Sequence, residues 1–396
     1  MPRVAFINTH PIQYYAPLHR ALSARPGLDV RVFFTWHGGG PAVDAGFQRE
    51  FAWDVPLTEG YEFEVVPNTS RKPGPHHRAG IKNPELVARV AAWKPDAVVL
   101  TGYNFPSNLD ALRNLSRMGI PVLLRGDSHL LDRGTDRLWW LKRRILGRLF
   151  RQCAAVLSVG LNNRDYFTAC GVPRERIVRC PHSIDRTRFA EPDAALNTEA
   201  AEWRATLGFG ERQTVLLFAG KLEARKRPVE MLEAIIADAD PRVAVLVVGT
   251  GELEGRVNTI AAAHPDRVKH VPFQNQSRMP VVYRAGDLFV LPSAYGETWG
   301  LAVNEALACH RPVLVSDRVG CAPDVVKPGN NGWVFPADDW RAFLAIVKDA
   351  TTERAMLSAM RQRASDSSID FDIPATASTL VAAVERILAE KSTAQT

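Results

Sequence analysis

Ten short apolar runs punctuate this chain, and helical patterns fall between them. The first series is VAFIN (4–8), VRVFF (30–34), AVVLT (97–101), PVLLR (121–125) and AVLSV (155–159). The second is TVLLFAG (214–220), VAVLVVG (243–249), VKHVPF (268–273), LFVLPS (288–293) and PVLVS (312–316). Runs of this length without polar alternation suit strands buried on both faces, as in a parallel sheet covered by helices. Helical stretches such as PELVARVAAW (84–93), SNLDALRNLSRMG (107–119) and PVEMLEAIIADA (228–239) complete the alternation. The pattern predicts an α/β fold. Two series of similar size, joined by the polar, Ala-rich segment 186–212, predict two domains, and 396 residues suffice for both cores. We expect domains at 1–190 and 191–374, with a C-terminal helix and tail over 375–396. In that tail Leu380, Val381, Val384, Ile387 and Leu388 form one apolar stripe that could cap either domain.

The composition, 46% hydrophobic and 23% charged, is that of an ordinary soluble protein. A net charge of +6 fits phosphates, lipid headgroups or nucleic acid and selects none of them. Nucleic acid is disfavoured because the basic residues are dispersed and not interleaved with aromatics along one stripe. Five cysteines without paired spacing argue for a reducing compartment and against a disulfide framework or a metal cluster. No apolar run approaches the roughly 18 residues of a membrane span, so a cytoplasmic location is expected. The segment RLWWLKRRILGRLFR (137–151) has two readings. It could lie on the inner face of an anionic membrane as a polybasic amphipathic helix. Alternatively Trp139, Trp140, Leu141, Ile145, Leu146, Leu149 and Phe150 form a core stripe with snorkelling arginines.

Chemistry concentrates in the second half. PSAYGETWGLAVNEALACHRPVLVS (292–316) holds Glu297 and Glu305 on either side of an expected helix start. Thr298, Trp299, Gly300 and Leu301 would present the unpaired N–H groups of its first turn, a ready phosphate site. Carboxylates accept hydrogen bonds from hydroxyls. Phosphate and polyol together suggest a nucleotide sugar. Lys221 and Lys226 follow the strand ending at Gly220, where two ammonium groups could neutralise a diphosphate, although a charge run is often only a solvated loop. Gly249 and Gly251 follow the next strand. The dinucleotide fingerprint fails there at Glu254, leaving a tight turn as the plainer reading. His10 follows the first strand and either lines a ligand site or braces the turn beside Pro11.

Taken in order, these elements resemble the retaining nucleotide-sugar glycosyltransferases of the GT-B fold, family four. The matching residues are Gly220-Lys221 with Lys226, Val248-Gly249-Thr250-Gly251, Phe273, and the block from Leu291 to Val313 with its Glu-x7-Glu pair. Pro181, Asp185 and Phe189 stand where the family has its inter-domain motif. The resemblance covers about 150–340 well and the first 150 residues loosely. It implies two Rossmann-like domains with parallel sheets facing across a cleft, and a C-terminal helix crossing back to the first domain. It implies a hexosyltransferase-like enzyme that moves a sugar from a nucleoside diphosphate, such as UDP or GDP, to a saccharide, lipid-linked or small-molecule hydroxyl acceptor. No metal and no cofactor beyond the donor substrate are expected. Glu297 would face the donor sugar and Glu305 the ribose. Lys221, Lys226, Gly249 and the backbone near Thr298–Leu301 would hold the diphosphate. Phe273 and Gln274 would approach the base. Asp127 occupies the position where the family often has a histidine, and His129 lies two residues on; with His10 they are the acceptor-side candidates, and Glu297, Lys226, Asp127 and His129 the catalytic ones. The chain departs from the family at Lys221 (usually Arg), Arg227 (usually Gly), His310 (usually small) and in the first loop, which lacks paired glycines. The alternatives are a sugar-phosphate synthase or pseudo-glycosyltransferase of the same fold, or a non-catalytic subunit that binds nucleotide sugar.

Overall fold

The computed structural model describes residues 1–37, 42–44, 49–132, 138–190, 193–238 and 240–393. Its strands, in chain order, are β1 (Arg3–Asn8), β2 (Asp29–Phe34), β3 (Ala42–Asp44), β4 (Arg49–Phe51), β5 (Glu62–Val65), β6 (Ala97–Thr101), β7 (Val122–Gly126), β8 (Ala155–Ser158) and β9 (Ile177–Arg179). They continue with β10 (Thr214–Ala219), β11 (Val243–Val248), β12 (Val268–Val271), β13 (Leu288–Leu291), β14 (Val313–Ser316) and β15 (Gly332–Phe335). All ten apolar runs are strands. The chain divides into two compact units. One comprises Met1–Gly40, Pro56–Ser183 and Ile373–Thr396, and the other Pro41–Val55 and Ile184–Asp372.

The first unit is built on a parallel sheet of order β5-β2-β1-β6-β7-β8-β9. Its inner strands are buried on both faces. Val4 and Phe6 of β1 enter one cluster with Leu18 and Leu22 of the helix Ala16–Ser23, while Ala5 and Ile7 enter the opposite one with Leu112, Phe150 and Phe167. The C-terminal helix, Ile373–Thr393, belongs here: Leu380, Val384 and Ile387 bury against the first cluster. That decides between the two domains its stripe could have capped.

The second unit carries a parallel sheet of order β12-β11-β10-β13-β14-β15. Several segments differ from expectation. NNGWVF, outside the ten runs, contains β15, and the strand expected over 268–273 ends at Val271. β5 (EFEV) and β9 (IVR) were not expected, being short, partly polar edge strands. The joint at 186–212 is largely helical: Arg186–Ala190 and Asp193–Thr206, the latter packed on the helix Met279–Ala285. Arg204 ties it down through Asp287 (2.9 Å) and the Gln213 carbonyl (2.7 Å).

In each sheet the chain first winds outward in one direction and then returns to the other side of its first strand. The reversal lies between β1 and β6 in the first sheet and between β10 and β13 in the second. Loops leaving two such neighbours diverge, and the gap beyond their carboxyl ends is where open α/β sheets receive ligands.

Candidate functional site

The reversal in the second unit brings the loops after β10 and β13 side by side. They are cross-linked: Ala294 N–H donates to the Arg225 carbonyl at 2.8 Å, and Arg225 Nη1 to the Gly296 carbonyl at 3.1 Å. At this seam Lys226 Nζ donates to Glu297 Oε2 at 2.6 Å, and Ser293 Oγ donates to the same oxygen at 3.3 Å. Arg225 Nη1 stands 3.6 Å from it. The Lys226 and Glu297 side chains are only 12% and 13% exposed, so solvent screens the pair weakly. Burial pushes the Glu297 carboxyl up. Lys226, Arg225 and the Ser293 hydroxyl outweigh it and hold the group below the usual carboxylate range. Glu297 is therefore ionised at neutral pH and acts only as a hydrogen-bond acceptor. Arg225 and Ser293 were not singled out from sequence. The charge run containing Arg225 was visible, but nothing in it distinguished that side chain from Lys221, which also flanks β10 and is partly buried.

The helix after β13 begins later than expected, at Leu301, and runs to Ala308. Its unbonded first-turn donors are thus those of Gly300, Leu301 and Ala302; Val303 N–H already bonds the Gly300 carbonyl. Thr298 and Trp299 belong to the preceding loop, which docks on the next one through Gly320 N–H to the Glu297 carbonyl (2.9 Å) and Cys321 N–H to that of Trp299 (2.8 Å). Trp299 is buried, its indole N–H donating to Asn304 Oδ1 at 2.9 Å, so it braces the loop. Gly300 has φ +94°, and a Cβ there would lie 2.8 Å from Val319 Cγ1. Only glycine fits. Glu305 is little more than one turn inside the helix. Tyr283 Oη donates to its Oε2 at 2.6 Å, and burial raises its carboxyl against the pull of Tyr283 and Arg188.

Gly249, φ +145°, has its N–H bonded to the Val271 carbonyl, and a Cβ would sit 1.9 Å from the Gly220 oxygen. It provides close approach of two loops rather than a spare donor. Phe273 packs edge-to-face on Trp53 (centroids 6.3 Å apart), and Gln274 Nε2 caps the Pro272 and Phe273 carbonyls. Asn275 Nδ2 donates to the Ala52 carbonyl, and Asp54 accepts from Ser277. A segment distant in sequence thus covers the loop after β12, and no local pattern pointed to Trp53 or Asp54.

In the first unit, Asp127 follows β7 and is exposed. His129 is buried. Its Nδ1 accepts from Leu131 N–H at 3.1 Å, and its Nε2 lies 3.8 Å from Asp132. His10 packs edge-to-face on Trp36. Near Asp127 is an unforeseen aromatic and cationic cluster. Arg125, buried on β7, donates to the carbonyls of Cys180 (2.8 Å) and Pro181 (2.9 Å), and lies 3.4 Å from Tyr15 Oη. Tyr14 and Tyr15 flank His182, which burial and Arg125 keep neutral by lowering its pKa. Tyr14 is raised by burial, and by Tyr15 and Asp127 nearby. The lone arginine ending an apolar strand was the available signal.

Comparison with known proteins completes the picture. Residues 199–367 match the family model for glycosyl transferases group 1, and 13–182 that for a glycosyl transferase 4-like domain. The D-inositol 3-phosphate glycosyltransferase of Mycobacterium sp. (strain KMS) is 35% identical over 171 residues, covering 40% of this chain and 38% of that one. The chain spans less than half the length of the curated relatives it matches. Among solved structures, Anabaena Alr3699/HepE in complex with UDP superposes with a TM-score of 0.73 at 18% identity, over 98% of this chain and 100% of that one. The sucrose-phosphate synthase of Thermosynechococcus elongatus superposes with a TM-score of 0.70 at 16% identity, over 98% of this chain and 100% of that one. With glycosyl transferase models matched across both halves and two parallel α/β units beneath them, the chain belongs to the glycosyltransferases of the GT-B fold, family-four type.

Proposed function

We propose that the protein transfers a sugar from a nucleoside-diphosphate donor to a hydroxyl acceptor, with the donor held by the second unit. The observation that carries this reading is the Lys226–Glu297 pair at the reversal of the second sheet. A diphosphate arriving there meets Lys226, Arg225 and Lys221, together with the first-turn donors of Gly300–Ala302. Phosphate competes with Glu297 for Lys226, and the carboxylate is then available to sugar hydroxyls. Neutralising charge on the departing diphosphate is the chemical service these cations supply. Glu305 offers its second oxygen to the ribose while Tyr283 holds the first, and Phe273 and Gln274 meet the base. UDP is the first nucleotide to try, since the Alr3699/HepE structure was solved with it. Retention of configuration, independence of metal and the absence of a further cofactor come with the family resemblance and are part of the proposal. On the acceptor side, the exposed carboxylate of Asp127 is better disposed than His129, whose ring is built into its own turn. The five cysteines are buried thiols, which supports a reducing, cytoplasmic setting.

The test is nucleotide release from a panel of nucleotide sugars. Glu297→Ala and Lys226→Ala should each lower turnover by at least about a hundredfold, the scale for removing an electrostatic partner of the transition state, with melting still cooperative. Undiminished turnover in either variant overturns the assignment. Asp127→Ala should lose transfer while the nucleotide's thermal shift persists.

A further inference from the structure

Four large apolar side chains with high exposure fall within eight residues: Leu138 (65%), Trp140 (54%), Leu141 (42%) and Ile145 (57%). They lie on, or immediately before, the helix Trp139–Phe150. The core-stripe reading of this segment therefore fails for Trp140, Leu141 and Ile145. It holds for Leu146, Leu149 and Phe150, which are buried, and for Trp139, whose ring packs on Tyr166. Arg137, the first residue of the stretch, lies outside the described residues.

The helix cannot roll to hide its outer face. A Cβ on Gly147 would sit 2.3 Å from the Cys170 carbonyl oxygen, so the inner face is seated backbone to backbone. The outward side carries Lys142, Arg143, Arg144, Arg148 and Arg151, all exposed, and there is no carboxylate between 138 and 151. Among the described residues none of these five forms an ion pair. Arg144 leans over the Trp140 ring at 5.8 Å. Leu141 and Ile145 lie one turn apart, as do Arg144 and Arg148, so apolar and basic stripes run side by side. A surface this apolar normally has a partner.

We propose that this face docks on an anionic lipid bilayer. Lipid phosphates meet the five cations, while Trp140, Leu141 and Ile145 enter the boundary between headgroups and acyl chains. Charge complementarity selects this occupant. A second copy would oppose five cations with the same five, whereas an anionic leaflet neutralises them. Docking does not depend on sugar transfer and is read without turnover, so it can fail or succeed separately from the donor-site reading.

The experiment is co-sedimentation of the full chain with vesicles of phosphatidylglycerol and phosphatidylcholine, against phosphatidylcholine alone, at low and high salt. The wild type should sediment with the anionic vesicles only, and less at high salt. Arg144→Glu/Arg148→Glu and, separately, Trp140→Ser/Ile145→Ser should each weaken partitioning roughly tenfold. Because these side chains are exposed, melting temperature and nucleotide binding should be unchanged. Quenching of tryptophan emission by brominated acyl chains should fall in Trp140→Phe. A wild type that stays in the supernatant overturns the proposal. So do variants that sediment equally well, and so does a variant whose only effect is on self-association, which would show that a second copy covers the face.

Discussion

At the scale of single residues, the two glutamates of one motif have opposite electrostatics. Glu297 is depressed by its cations, so the stability it contributes is present above the unfolded carboxylate value and lost as pH falls through its folded value. Glu305 is raised by burial, so its contribution is complete below the unfolded value and lost as pH rises through the folded one. Glu305→Gln keeps an acceptor for Tyr283 and removes the buried charge. It should melt at the wild-type temperature in acid and roughly 1–2 °C above it near neutrality, with weaker nucleotide binding. Scanning fluorimetry across pH checks both signs, since Glu297→Gln should instead melt lower near neutrality and converge with the wild type in acid. The Lys226–Glu297 pair also predicts a coupled cycle. Lys226→Met strands a carboxylate and should cost about 1–3 kcal/mol, much of which Lys226→Met/Glu297→Gln should restore. Chemical denaturation of the four proteins measures the coupling.

At the scale of elements, two departures from the family share one backbone feature. Arg227 and His310 replace residues the family keeps small, and both have left-handed backbone, with φ of +51° and +58°. A side chain there costs roughly 1–2 kcal/mol. Arg227 offsets the strain by tethering the junction between the turn Ala224–Lys226 and the helix Pro228–Asp238 to the Ala337 carbonyl (2.6 Å) and Asp338 (2.9 Å). Arg227→Ala, which keeps the strain and loses the tether, should destabilise by about 1–2 kcal/mol. Arg227→Gly, which loses both, should be nearly neutral. Equal losses in denaturant melts would show that backbone strain plays no part. The sequence marked Arg227 as standing where the family has glycine, but neither its left-handed backbone nor its tether was legible there. The Glu-x7-Glu block was legible because its spacing survives in one dimension. The register of its helix was not, because Gly300 and the seam to Gly320 set where that helix begins.

At the scale of the whole molecule, the last helix is assigned to the first unit although the second precedes it in the chain. Leu380, Val384 and Ile387 roof a cluster that includes Val4, Phe6 and Leu18. Truncation after Asp372 should expose that cluster, giving strong dye binding and loss of cooperative melting in the first unit. An unchanged melt would mean that the sheet holds without its roof. The segment Pro41–Val55 makes the reverse excursion, grouping with the second unit and bringing Trp53 to Phe273. The first excursion was implied only by the family resemblance and the second by nothing in the sequence, because each packs one short piece against residues hundreds of positions away.

The sequence by itself determined the α/β class, the two series of buried strands and the positions of Lys226, Glu297 and Glu305. Those depend on local periodicity and on loops that follow strands, both of which are written in consecutive residues. Tertiary structure alone decided which cations meet which carboxylate, that Arg125 is buried against Cys180 and Pro181, and that Trp140, Leu141 and Ile145 of the apolar stripe at 139–150 face outward. Hydrophobicity says that a side chain gains by burial. Only the arrangement of neighbouring elements says whether a surface is left over to bury it.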